Sequence, residues 1–390
     1  MSNLTENTNK MLIEYGLRNF LCFKEGASVS FRLDGNVPEH ISNGFGNATI
    51  MCVKGANGSG KTHLLKGLAL MASFASKSFS GEPEEDIAVD SYCRSSSPSE
   101  FYAEFTAEDG ITYLYELSVT PERVIREALY QKKKRQTKLF ERNLDKVKAV
   151  NRLSDIEAID YRKNASIIST LHQHRNKEFE PVHSFFKKII FNVTQSGFIG
   201  AQHFDTDTVS KFFAEDPKLL AFVIDFIKQC DIGIADITIS SEEGREGKKK
   251  YFPIFHHMVD DKTFPVFSST ESSGTKYLYR ILSAYITTIA RGGVFIADEF
   301  DIYLHPDLLP KLTELFTDKN MNQLGAQLLF SAHDADILDI CGKYRTCLVN
   351  KDNNASYVYR LDELPGDILR NDRPISPLYK EGRIGGVPRL

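Results

Sequence analysis

Residues Val53-Lys54-Gly55-Ala56-Asn57-Gly58-Ser59-Gly60-Lys61-Thr62 decide how this chain is read. They hold glycines at Gly55 and Gly60 followed by Lys61 and Thr62, the spacing at which a loop can wrap phosphate. Gly55, Asn57, Gly58, Ser59 and Gly60 let backbone N–H groups curl round phosphate oxygens. Lys61 can reach the β and γ phosphates, and the Thr62 hydroxyl can ligate Mg²⁺. The flanks agree. Ala48 to Val53 is an apolar, β-prone run that reads as a strand. After Thr62, residues Leu64, Leu65, Leu68 and Met71 fall at helical spacing. The loop therefore runs into a helix N-terminus, whose dipole favours anions. A nucleoside triphosphate with Mg²⁺ is the expected ligand pair.

Three later segments suit the same chemistry. Val294-Phe295-Ile296-Ala297 is an apolar run that ends in Asp298-Glu299. A strand ending there presents Asp298 to a metal and lets Glu299 orient and polarise water as a general base. Gln327 to Ser331 reads as another parallel strand, with Ala332-His333-Asp334 at its end. Ligands bind at that end of an open α/β sheet, so His333 can bond a γ-phosphate. A capped turn with a solvent-facing histidine would look the same. Ser272-Ser273-Gly274-Thr275 precedes a helix running through Ile289 and could hold a second phosphate contact or simply cap the helix.

The rest of the chain sets bounds. Its 390 residues carry 48 Lys and Arg against 52 Asp and Glu, a formal charge of −4, so any nucleic-acid contact would depend on local patches. Lys132 to Arg135 with Lys138, and Lys248 to Lys250, are such patches, otherwise solvated charged faces. Six cysteines form no CxxC pair and read as reduced thiols. There is no secretory apolar core and no run of about 20 apolar residues, so a cytoplasmic protein is expected. Phe101–Ala107 and Ile111–Val119, joined by Asp109-Gly110, form a hairpin. Residues 155–230 read as mostly helical, and the tail beyond Asn371 as irregular. Asp336 and Asp339 read as parts of a capped helix in preference to a second metal site. The expected fold is α/β, with a nucleotide-binding core from 1–75 and 265–360. It would be interrupted by a β-rich subdomain over 76–150 and a mainly helical insertion with returning strands over 151–264, and followed by a tail over 361–390.

Taken together, the four segments resemble the ATP-binding cassette type of P-loop ATPase. They are most similar to its chromosome-maintenance, DNA-repair and overcoming-lysogenisation-defect branch. Asn19-Phe20 and Phe23 resemble that branch's first strand. Ser272-Ser273-Gly274-Thr275 stands where the signature usually reads Ser-Gly-Gly-Gln, and His305 stands where an Asp is usual. Arg126 to Tyr130, Lys138 to Arg142 and Leu378 to Pro388 resemble the AAA-fifteen group of defence ATPases. The family's glutamine loop has three candidates, Gln173, Gln195 and Gln202.

The resemblance implies a slow ATPase working as a head-to-tail dimer or a higher assembly. ATP would lie between the Gly55–Thr62 loop of one subunit and Ser272–Thr275 of the other. It further implies an antiphage (abortive infection) module in which this chain is sensor or scaffold, a phage protein the trigger, and a separate toprim- or HNH-type nuclease the effector. By the same resemblance, the 57 residues after His333 are expected to be too few for the toprim nuclease domain that larger relatives carry. A DNA-binding repair ATPase and a non-cycling ATP-bound scaffold are the other classes these residues allow.

Overall fold

The computed structural model describes residues 10–35, 37–194, 196–199, 204–243, 247–365, 368–370 and 373–387. In chain order the elements begin with β1 (Leu12–Arg18), β2 (Ala27–Ser30), α1 (Glu39–Ser42), β3 (Ile50–Lys54) and α2 (Lys61–Lys77). Then come β4 (Ser99–Thr106), β5 (Thr112–Val119), β6 (Val124–Lys132), β7 (Gln136–Asn143) and β8 (Lys146–Ala149). Helices α3 (Ile167–Gln173) and α4 (Glu180–Lys187) lead to β9 (Ile189–Phe191), β10 (Val193–Thr194) and β11 (Gly197–Phe198). They are followed by α5 (Thr206–Glu215), α6 (Pro217–Cys230), β12 (Ile234–Glu243), β13 (Lys249–Val259), β14 (Lys262–Phe267) and α7 (Ser273–Arg291). The last are β15 (Val294–Ala297), α8 (Leu308–Thr317), β16 (Gln327–Ser331), α9 (Ile337–Cys341), β17 (Thr346–Asp352), β18 (Ala355–Arg360) and α10 (Ser376–Lys380).

The chain forms two compact units. The first takes its described residues from Met1–Phe198, Thr288–Phe300 and Thr313–Leu390. It holds a six-stranded sheet in the order β18-β17-β3-β16-β15-β9, parallel except for β18, with the Gly55–Thr62 loop following β3. Every residue of β3, β15 and β16 is buried. That continuous burial is what a strand covered on both faces requires, and it explains the unbroken apolar runs. A second sheet, β2-β1-β4-β5-β6-β7-β8, is antiparallel throughout. Its β5 alternates buried and half-buried residues, the pattern of a strand with one covered face. Leu64, Leu65 and Leu68 of α2 share a buried core with Tyr15 of β1 and Phe101 and Phe105 of β4. The outcome is an α/β fold with a P-loop-type core, an antiparallel sheet and helical insertions.

The units cut the chain elsewhere than the expected boundaries. Opening strand β1 pairs with β4 of the 76–150 hairpins and with β2 on its other side, so all make one sheet. Residues of the expected 151–264 insertion are divided as well: β9 hydrogen-bonds to β15 inside the parallel sheet, so its stretch belongs to the first unit. β1 pairs with residues more than 80 positions away and β9 with residues more than 100 away, and no local pattern relates them, which hides them in a linear reading. The tail is less irregular than expected. Pro377, at a position helices tolerate, opens α10, and Asp339 of α9 accepts the Ser376 N–H and hydroxyl at 3.0 and 2.6 Å.

The second unit comprises described residues of Ile199–Thr287 and Asp301–Leu312. It holds α5, α6, the three-stranded antiparallel sheet β12-β13-β14 and the first part of α7. Phe213 of α5 and Phe255 of β13 both meet the Tyr279 ring of α7 edge-on, at 5.3 and 5.7 Å. Tyr279 also donates its hydroxyl to Ser210 Oγ.

Candidate functional site

The parallel sheet determines which residues meet. β3, β16 and β15 lie side by side, with Ser331 in register with Val53 and Phe330 with Ala297. Their carboxyl ends are therefore flush. The chain beyond β3 is the Gly55–Thr62 loop, that beyond β15 is Asp298-Glu299, and that beyond β16 is Ala332-His333. Three segments separated by more than 200 positions in part reach one edge because parallel strands of one sheet must point the same way.

Close backbone approach shapes the loop. A Cβ on Gly55 would come within 2.3 Å of the Val349 carbonyl oxygen of β17. Gly60 is left-handed, with φ +114°, and a Cβ there would meet Cys22 Sγ at 2.6 Å and Ser356 Oγ at 2.8 Å. Asn57 and Gly58 are exposed, whereas Ser59 is buried and its hydroxyl has no hydrogen-bond partner among the described residues. Lys61 is 8% exposed and folds its ammonium back onto the carbonyls of Gly55 and Ala56, at 2.9 and 3.1 Å. Thr62 is half-buried in the first turn of α2, which contains no acidic side chain to compete for an anion.

Asp298 is held from two sides. Asn192, fully buried, donates from Nδ2 to its carbonyl at 3.0 Å and accepts its N–H through Oδ1 at 2.7 Å. The Ser331 hydroxyl donates to Asp298 Oδ1 at 2.5 Å and itself accepts the Glu299 N–H at 2.9 Å. One serine thus couples both acids. The other oxygen, Asp298 Oδ2, is buried without a hydrogen-bond partner among the described residues. A carboxylate oxygen left so is costly unless a cation or donor meets it, and it matches the hard oxygen set that Mg²⁺ prefers. Asp298 also acts on α2. Burial lowers the pKa of His63 and of Lys66, and the Asp298 charge opposes that lowering in both. Glu299 is half-buried and left-handed, with φ 50°, an unusual setting for a side chain other than glycine.

His333 is exposed at the end of β16. Its backbone is fixed from below: the buried Lys54 donates to the Ala332 carbonyl at 3.1 Å and to the carbonyl of His333. Lys54, Asn192 and Ser331 brace these strand ends, and linear reading passed over them. A lysine closing an otherwise apolar strand, and a serine just before Ala332-His333, were the available signals. Asn192 had none. Among the glutamine-loop candidates, Gln173 ends α3, while Gln195 and Gln202 lie outside the described residues.

The Ser272–Thr275 segment belongs to the second unit. Ser272 and Ser273 are exposed, and Gly274 is half-buried. Thr275 is 6% exposed; its hydroxyl donates to Asp231 Oδ2 at 2.8 Å, and its N–H to Ser272 Oγ at 3.1 Å. Glu271 accepts the Ser272 N–H through Oε1 and lies 2.7 Å from His257 Nε2 through Oε2. Ser272 is thereby a helix cap, and the Thr275 side chain points inward. Of the basic stretch, Lys132 pairs with Glu104 at 3.0 Å and Lys138 with Glu141 at 2.7 Å, leaving Lys133 to Arg135 exposed in the β6–β7 turn. Asp336 pairs with Lys380 at 2.8 Å.

A family described as "AAA domain, putative AbiEii toxin, Type IV TA system" matches residues 50–339, a span that contains Gly55–Thr62, Asn192, Ser272–Thr275, Asp298, Glu299, Ser331 and His333. No curated protein matches the chain. Among solved structures, the SMC head domain from Thermotoga maritima is 13% identical, with a TM-score of 0.45, over 90% of this chain and 98% of that one. An SMC head bound to the C-winged helix domain of ScpA is 12% identical, with a TM-score of 0.48, over 89% and 96%. No helix among the described residues is long and apolar enough to cross a membrane.

Proposed function

The chain belongs to this AAA-domain family, and on that premise we propose that it is an ATP-binding and ATP-hydrolysing subunit of an antiphage defence system. The observation that carries the proposal is Asp298. It is a buried carboxylate clamped by Asn192 and Ser331, with one oxygen unpartnered, at the strand end beside the phosphate loop's own strand layer. In this reading Asp298 and Thr62 hold Mg²⁺, which when bound offsets phosphate charge. Lys61 exchanges its two loop carbonyls for phosphate oxygens. Glu299, oriented through its N–H on Ser331, takes up the proton of the attacking water, and His333 contacts the γ-phosphate side.

The finer reading is of the AAA-fifteen kind: a sensor or scaffold that sandwiches ATP head to tail with a second copy and controls a separate nuclease of toprim or HNH type. The exposed Ser272 and Ser273, at the start of the 19-residue α7, support it as a helix end able to face a partner's phosphate. Hydrolysis would remove that bridge and reset the assembly. The test is purification of the Glu299→Gln form with ATP and Mg²⁺ from its native genetic neighbourhood. Trapped nucleotide, a dimer or larger species and a stoichiometric nuclease are expected. Absence of bound nucleotide would refute the ATPase reading, whereas nucleotide without a nuclease would refute only the defence-subunit reading.

A further inference from the structure

The end of α2 farthest from the phosphate loop meets two histidines that the proposed ATP chemistry does not use. Ser166 caps α3 by accepting the Ile168 N–H, and Pro181 sits in the first turn of α4. These starts bring His172 of α3 together with Glu180 and His183 of α4. His183 is 2% exposed, and its Nε2 lies 3.1 Å from the Ser76 carbonyl in the last turn of α2. A carbonyl only accepts, so Nε2 carries the hydrogen and Nδ1 the lone pair.

That lone pair is badly placed for the protein alone. His183 Nδ1 is buried with no hydrogen-bond partner among the described residues, and it faces Glu180 Oε1 at 3.9 Å. Two acceptors facing each other without a donor are unfavourable. Burial, and to a lesser degree His172 and Lys187, lower the His183 pKa, which disfavours the imidazolium that would relieve the conflict. His172 Nδ1 lies 2.8 Å from Glu180 Oε2, and its ring stacks on His183 at 3.6 Å and 10°.

We propose that His172, Glu180 and His183 form a binding site for a divalent cation of the zinc class. One ligand atom from each residue lies within 4.8 Å of the others, against roughly 3.3 Å between donors around a tetrahedral zinc. Two imidazoles and a carboxylate suit zinc and its neighbours better than Mg²⁺, which favours oxygen. The Ser76 carbonyl is the outer partner that ligating histidines normally have, since it holds the tautomer with Nδ1 bare. Parallel rings cannot both aim lone pairs at one ion, so His172 must turn out of the stack. Its side chain is 30% exposed and that of Glu180 51%, and the turn gives up the stacking on His183 and the contact with Glu180 Oε2. The bound ion would tie α3 and α4 to the helix that carries Lys61 and Thr62 at its other end.

The test uses the full chain, stripped with a chelator and titrated with zinc chloride in Mg²⁺-containing buffer. Calorimetry reads affinity, and elemental analysis reads stoichiometry. One zinc per chain is expected, with affinity at least about tenfold weaker in His172→Asn and in Glu180→Gln. Zinc should raise the melting temperature of the native chain and not of the double variant. Both replaced side chains are at the surface, so the fold survives, which circular dichroism without zinc verifies. Cysteines elsewhere can take up zinc, so the double variant is the reference. Equal uptake in native and double variant, or no zinc on the folded native chain, overturns the proposal.

Discussion

The residues round the phosphate loop and those at the start of α7 are both rich in small polar side chains, yet they dispose of their hydrogen bonds in opposite ways. Round the loop, Ser59 Oγ and Asp298 Oδ2 are buried and unpartnered among the described residues, and Lys61 rests on backbone carbonyls. At α7, Ser272 Oγ, Thr275 Oγ1 and both oxygens of Glu271 and of Asp231 have partners. Unsatisfied buried polar atoms are expensive, so a fold retains them where a ligand meets them. The first region leaves polar atoms for which the proposed nucleotide and Mg²⁺ would be partners. The second spends most of its hydrogen bonds on its own shape, with Ser272 and Ser273 exposed at the capped helix start.

Breaking the first region should cost most. Glu299→Gln is expected to lower ATP turnover by about 10²–10⁴-fold with nucleotide binding retained, as loss of a general base does, measured by phosphate release and by ATP titration. Turnover within about threefold of native would remove Glu299 from the chemistry. Lys61→Ala should weaken ATP binding about 10–100-fold, the worth of charge-assisted hydrogen bonds, without a change in circular dichroism. Unchanged affinity would sink the loop assignment.

Two further variants sharpen the contrast. Ser331→Ala cuts the link from Asp298 to Glu299 while leaving both acids in place. We expect about a tenfold loss in kcat with little change in ATP affinity. If binding falls and kcat holds, Ser331 serves the loop and not the acids. Thr275→Val removes a hydroxyl that is spent inside the second unit. It should destabilise by about 1–2 kcal/mol in a denaturant titration and leave the intrinsic ATP affinity of the isolated chain unchanged. Thr275→Gln, the residue usual at that position of the signature, should be worse folded instead of more active, because the Thr275 site is buried against Asp231. A faster enzyme from that variant would mean that Thr275 turns outward in the working assembly.

Local rules carried much of this structure. Gly55 and Gly60 shape the 55–62 loop because a Cβ at either would clash with its neighbours. Apolar runs at Ile50, Val294 and Gln327 dictate buried parallel strands, since antiparallel strands with a wet face would alternate. Asp109-Gly110 dictates a hairpin turn. Long-range pairing carried the remainder. That β1 and β2 complete the sheet of β4–β8, that β9 joins β15, and that Asn192, Ser331 and Lys54 converge behind Asp298 and His333 follow from contacts between residues that no local pattern relates. Periodicity states which face of a segment is buried, but not against what. The side chain of Thr275 makes the same point, because its sequence context allows a phosphate contact or a helix cap, and only the structure shows its hydroxyl spent on Asp231.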